Sequence, residues 1–190
     1  MPAVIAIRQT IRWRNPPADG HGNHRAGEYN ARIPSSATTR PMNAYHLAQV
    51  NVARAKAEMH TEIMQGFMSQ LDAMNRLADN ADGFIWRMLG DGGDYTSIRP
   101  YEDPLVIMNV SLWRDVDALK NYVYRTTHMN IIRARHAWFD KMDNIQQALW
   151  WIPAGQLPTA QEAREKLERV RRFGATKEAF TFAQVFLAPG

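Results

Sequence analysis

Residues 105–139 read LVIMNVSLWRDVDALKNYVYRTTHMNIIRARHAWF. Leu105 to Trp113 is almost wholly apolar and of a length that suits one buried strand. From Asp115, Val116, Leu119 and Val123 recur at helical spacing, so the strand feeds directly into a helix over about 115–127, with Tyr122 turned partly inward. Tyr124, His128 and Ile132 are four residues apart. His136 completes the row if a second helical stretch, about 130–142, continues the first. A buried strand joined to a helix bearing titratable side chains predicts a sheet with that helix laid across it and a pocket between the two.

The flanking segments supply the rest of such a layer. Upstream, Tyr45–Ala53 (YHLAQVNVA) alternates as a strand, with Leu47, Gln49 and Asn51 on one face and His46, Ala48, Val50 and Val52 on the other. Ile63, Phe67, Leu71, Met74 and Ala78 mark one face of a helix over about 61–81, stopped near Gly83. Gly83–Leu89 (GFIWRML) reads as a second strand with Arg87 opposite to Phe84, Trp86 and Met88, followed by the turn-rich GDGGDYTSIRPYEDP. Downstream, ALWWI at 148–152 is a short strand and Thr159–Phe173 a helix, with Thr159 and Glu162 as a capping box and Gly174 as its stop. Three acid–base pairs at i,i+4 decorate that helix, and FTFAQVF at 180–186 alternates as a last strand. This order fits an α+β fold, a ferredoxin-like antiparallel sheet with helices on one face. The opposite sheet face would be apolar, and a face of that kind is usually buried by a partner, which predicts a homodimer through the sheet.

Charge and composition narrow the classes. The net charge of +4 resides in residues 1–40, where six arginines meet only Asp19 and Glu28; the rest of the chain is balanced. A balanced domain does not offer the clustered basic surface a nucleic acid needs. Residues 1–41 are rich in Pro, Gly, Ser and Asn and are expected to be a disordered extension, leaving 42–190 as the folded domain. Cysteine is absent, which removes disulfides and thiolate chemistry and fits a reducing, cytoplasmic setting. No apolar run approaches the ~20 residues a membrane span requires.

No phosphate loop, dinucleotide fingerprint, HExxH or GxSxG is present. The Gly/Asp cluster at 90–94 lacks the alternating ligands and closing Glu of a calcium loop, so a hairpin loop is the reading. His128 and His136, eight residues apart, would lie roughly 12 Å from each other along a continuous helix, too far to share a metal ion. No metal site is therefore expected. His128 is the candidate catalytic proton-transfer group; a histidine hydrogen-bonded against the sheet is the plainer alternative. Gln49, Asn51, Arg87, Asn109 and Ser111 are polar residues on strands otherwise apolar, and buried polar groups need partners, so several on one sheet face point to a polar-decorated cavity. Of these, Asn51, Arg87, Asn109 and Ser111 are taken as site residues. With Trp113, Tyr124 and His136 they form the candidate substrate-binding set, an aromatic cavity with a few polar groups.

The pieces HLAQVNVARAK, GFIWRML, TSIRPYEDP, NVSLW with RDVDALKNYVYRTTH, RARHAWF, and LWWIPAGQLPTAQEA run collinearly through residues 45–186. Over this span the chain resembles an uncharacterised bacterial domain-of-unknown-function family in the dimeric α/β-barrel superfamily, alongside the antibiotic-biosynthesis monooxygenases. The resemblance implies a ferredoxin-like subunit that pairs through its sheet into a dimeric α/β barrel, with a pocket between sheet and helices. The superfamily includes cofactor-free monooxygenases of electron-rich aromatics, haem-degrading enzymes, haem peroxidases and small-molecule binders. Asn51 and Trp113 fall where the haem-degrading branch has its strand asparagine and strand-end tryptophan. That branch's ligand position falls about one turn beyond His128, near Ile132 or Arg133, which counts against haem. The expectation is a monooxygenase-like enzyme acting without a cofactor on a planar or apolar small molecule. The alternative is a non-catalytic binding or sensor module, haem through His128 or His136 included.

Overall fold

The computed structural model describes residues 44–90, 100–125 and 135–190, with the side chain of Arg125 excepted. The expectations for residues 1–41 and for His128 lie outside these residues. Four strands, β1 (Tyr45–Arg54), β2 (Phe84–Arg87), β3 (Val106–Trp113) and β4 (Gln147–Pro153), form one antiparallel sheet in the order β2-β3-β1-β4. The helices are α1 (Glu62–Asp79), α2 (Val116–Arg125) and α3 (Ala160–Phe173). None of the described helices is long and apolar enough to cross a membrane.

Register decides what each face carries. Gln49 lies opposite Ser111 and Asn51 opposite Asn109, while Asn51 also faces Gln147 on β4. The period of two therefore places Gln49, Asn51, Asn109, Ser111 and Trp113 on one face, as the alternation along β1 predicts. Helices α1 and α2 pack on this side: Phe67 and Leu71 join Ile107, and Ala118 and Leu119 join Leu47 and Trp113.

The arrangement differs from the expectation in where α3 lies. Its inner stripe of Ala163, Leu167 and Val170 packs on the other face, against Ala48, Val50, Val52, Met108, Val110, Trp150 and Ile152, all of them buried. Arg164 reinforces the contact, donating to Pro100 O at 2.8 Å and lying over the Tyr101 ring. Helices thus cover both faces. The apolar face that the sequence left for a partner is covered by α3 of the same chain.

Local departures from the sequence reading have physical causes. In β2 the register shifts between Phe84 and Trp86, so Phe84 opposes Trp113 whereas Trp86 opposes Leu112 and Arg87 opposes Ser111. The extra residue, Ile85, turns Phe84 onto the same face as Arg87. At α3, Thr159 Oγ1 accepts from Glu162 N as expected, but Glu162 Oε1 accepts from the indole of Trp150 at 3.0 Å rather than reaching back. A buried indole N–H needs an acceptor and takes the nearest carboxylate. Segment 180–186 forms only a reciprocal backbone pair between Phe180 and Leu149 and then turns, instead of extending as a strand. The described part of 130–142 holds a 3-10 turn, Arg135–Ala137, and a bridge of Phe139 to Ala55, not a helix.

Candidate functional site

Between the polar face of the sheet and helices α1 and α2 lies a cavity of about 490 Å³. Three rows of residues cross it. Arg87, Ser111 and Gln49 form the first; Asn109, Asn51 and Gln147 the second; Ile107 and Ala53 the third, with Phe67 and Phe139 nearby. Phe84, Trp113, Tyr122 and Leu119 wall one end, and Tyr124 and Phe182 contribute an aromatic pair with centroids 5.8 Å apart.

A single donor-only group orients the amides along the floor. The indole Nε1 of Trp113 donates to Ser111 Oγ at 2.9 Å, so that hydroxyl spends its one proton on Gln49 Oε1 at 2.8 Å. Gln49 must then direct Nε2 to Asn51 Oδ1, at 2.9 Å, and Asn109 Nδ2 reaches the same oxygen at 3.3 Å. Asn51 is left with its Nδ2 donors facing no acceptor among the described residues, in a side chain that lines the cavity. The floor therefore presents hydrogen-bond donors to whatever enters.

Arg87 is fixed from behind. Its Nε and Nη2 donate to the two carboxylate oxygens of Asp79, on the last turn of α1, at 2.9 and 3.1 Å. Nη1 is buried and has no acceptor among the described residues. Tyr122 stacks on Trp113 with centroids 5.0 Å apart, and burial pushes its hydroxyl up to about 12, so it stays protonated.

Of the candidates named from sequence, Asn51, Arg87, Asn109, Ser111, Trp113 and Tyr124 all line this cavity. Tyr124 is 55% exposed and lies at its rim. His136 is not among the lining residues: it sits exposed in the 3-10 turn, where its carbonyl accepts from Lys56 Nζ, while Arg135 and Phe139 beside it do line the cavity. The row from Tyr124 to His136 needs one unbroken helix; residues 126–134 lie outside the described residues, and His136 itself sits in a 3-10 turn rather than on a continued helix. Gln49, singled out in the sequence with the other polar strand residues, lines the cavity too; Phe182 was missed, hidden by the strand reading. Asp79 gave no signal, since nothing in the sequence pairs it with Arg87. Among the described residues, no group of three His, Asp or Glu side chains could hold a metal ion.

The chain belongs to the family described as domain of unknown function (DUF3291), whose model matches residues 46–190. That is the family class the sequence resembled. Solved structures are similar to the chain at low identity. A protein from Pseudomonas aeruginosa, PA3566, is 18% identical, covering 62% of this chain and 98% of its own, with a TM-score of 0.40. SnoaB, a cofactor-independent oxygenase from Streptomyces nogalater, is 17% identical over 60% of this chain and 97% of its own, TM-score 0.40. A dabb family protein with a ferredoxin-like fold from Mesorhizobium loti is 16% identical over 60% and 99%, TM-score 0.35. No curated protein matches.

Proposed function

We propose that the chain is a small-molecule enzyme of monooxygenase-like type, acting without a cofactor on a flat, largely apolar substrate held in the cavity between sheet and helices. The observation that supports this is the donor-bearing floor beneath aromatic walls, in a cavity of about 490 Å³, a usual size for a small-molecule site. Asn51 and Arg87 would hold an oxygen of the substrate, while Trp113, Tyr122 and Tyr124 flank its ring. His128 is assigned the proton transfer from its place in the sequence alone, three positions after Arg125. Removal of a proton from an acidic methylene gives a carbanion that passes electrons to dioxygen. The methylene carbon gives up both hydrogens and gains one oxygen atom as a carbonyl. The other atom of dioxygen leaves with those hydrogens as water, so no outside reductant is needed.

The test is oxygen uptake with a flat CH-acidic ketone such as anthrone. The reading requires one dioxygen consumed per ketone oxidised, and at least a tenfold loss in His128→Ala, in line with the ~10²–10⁴ that a positioned base contributes. Full activity in that variant removes His128 from the mechanism.

A second reading is a binding module that does not turn its ligand over. It is favoured by the described lining itself, which holds no His, Asp, Glu or Lys, and whose one aliphatic hydroxyl, Ser111, has its proton committed to Gln49. Native mass spectrometry showing a retained small molecule, with no oxygen uptake, would select it.

A further inference from the structure

The described residues lining the cavity include two arginines, Arg87 and Arg135, and no carboxylate. Tyr122 adds no negative charge, because its burial keeps the phenol protonated. The described lining therefore carries positive charge and no negative charge. Asp79, which neutralises Arg87, stands behind it on α1 and is not a lining residue. Its bidentate grip holds the guanidinium plane in place and satisfies two nitrogens, leaving Nη1 buried without an acceptor among the described residues. A buried N–H of a cation with no acceptor is a rare condition in a folded protein. Nη1 itself is closed off, so a ligand would meet Arg87 through the part of the side chain that stays exposed, 20% of it.

We propose that the ligand of this cavity is an organic anion, a flat body carrying a carboxylate, sulfonate or similar acidic oxygen group that meets the guanidinium of Arg87. This deepens the reading of the cavity as a small-molecule site and rests on it. The order of rows along the strands fits such a molecule. The acidic group lies at the Arg87–Ser111–Gln49 row, and the apolar body extends past Asn51 and Asn109 towards Ile107 and Phe139. Arg135 is exposed, so solvent screens its charge, and it contributes attraction at a distance more than affinity.

Two fluorescent probes with one ring framework separate charge from shape. 1-Anilinonaphthalene-8-sulfonate carries an anion; N-phenyl-1-naphthylamine is the same molecule without the sulfonate. Titrated into the full chain, the sulfonate is expected to bind about tenfold or more tighter, the effect of one good charge-assisted contact. Arg87→Met should abolish that preference and leave the neutral probe within about threefold of its original affinity. Asp79→Asn, a nearly isosteric change, removes the competing negative charge, so it should tighten the sulfonate severalfold without affecting the neutral probe. A merely structural ion pair would not produce opposite effects from its two halves. Equal binding of both probes, or a sulfonate preference that survives Arg87→Met, overturns the anion assignment and leaves the pocket standing. If Asn109→Phe, which fills the middle of the cavity, displaces neither probe, or if neither binds, the pocket reading itself falls.

Discussion

Ser111 Oγ donates to Gln49 Oε1 at 2.8 Å across the β1–β3 pair, with each residue only 5% exposed. The bond is one link in a chain that begins at the Trp113 indole, so losing it strands two buried groups at once. Ser111→Ala should cost about 1–3 kcal/mol, measured by chemical denaturation. Trp113→Phe should cost less in the Ser111→Ala background than in the parent chain, because the orphaned indole is then gone. Strict additivity would show that the links act independently.

Gly83 tests the close approach of α2 to the start of β2. Its φ is +77°, and an added Cβ would stand 2.5 Å from Ala118 Cβ. Gly83→Ala is expected to lower stability by about 2 kcal/mol or more, combining the left-handed backbone with the clash. The double variant Gly83→Ala with Ala118→Gly relieves only the clash and should recover part of the loss. Full recovery would mean that the backbone conformation costs nothing there.

Much of the layer was legible because burial imposes a period. The alternation along β1 and the 3.6-residue stripes of α1 and α3 follow from each element having one side against a core, and the site residues on β1 and β3 came with that pattern. What escaped was set by contacts between segments distant in sequence. The bulge at Ile85, the pairing of Arg87 with Asp79, and the choice of Glu162 for the Trp150 indole depend on which neighbour the fold delivers. The C-terminal aromatics alternate as a strand would, yet Phe180, Phe182 and Phe186 serve as wedges against β4 and the cavity wall, a role with no periodicity of its own.

The Trp150–Glu162 bond gives a clean comparison of two substitutions. Glu162→Gln keeps an oxygen for the indole N–H, and Glu162→Leu does not. Leucine should be the more destabilising by about 1–2 kcal/mol in thermal or denaturant unfolding. Equal effects would show that the indole finds another acceptor.

His46, at the start of β1, has its imidazole held below the ordinary value by burial. The unfolded chain therefore takes up a proton near pH 6.5 that the folded chain resists. Stability is fully present above that pH and declines as pH falls from it towards the lower folded value. Asp103 and Glu178 are also shifted down, Asp103 first by the Leu105 amide and Glu178 first by the Thr176 side chain, but they release their contributions only in the carboxylate range. Melting curves between about pH 7 and pH 5.5 should thus be less pH-dependent in His46→Gln than in the parent chain. Identical slopes would remove His46 as the source.

Helix α3 lies on the reverse of the sheet as part of the same polypeptide. Truncating its central contact, Leu167→Ala, is expected to cost about 2–5 kcal/mol, the range for a fully buried leucine. Because the cover is tethered rather than recruited, its docking is unimolecular and dilution does not oppose it. Any drift of the melting midpoint with protein concentration would therefore come from assembly elsewhere on the chain, by mass action, and not from this cover. Abundance in the cell then has no say in whether this face of the sheet is covered.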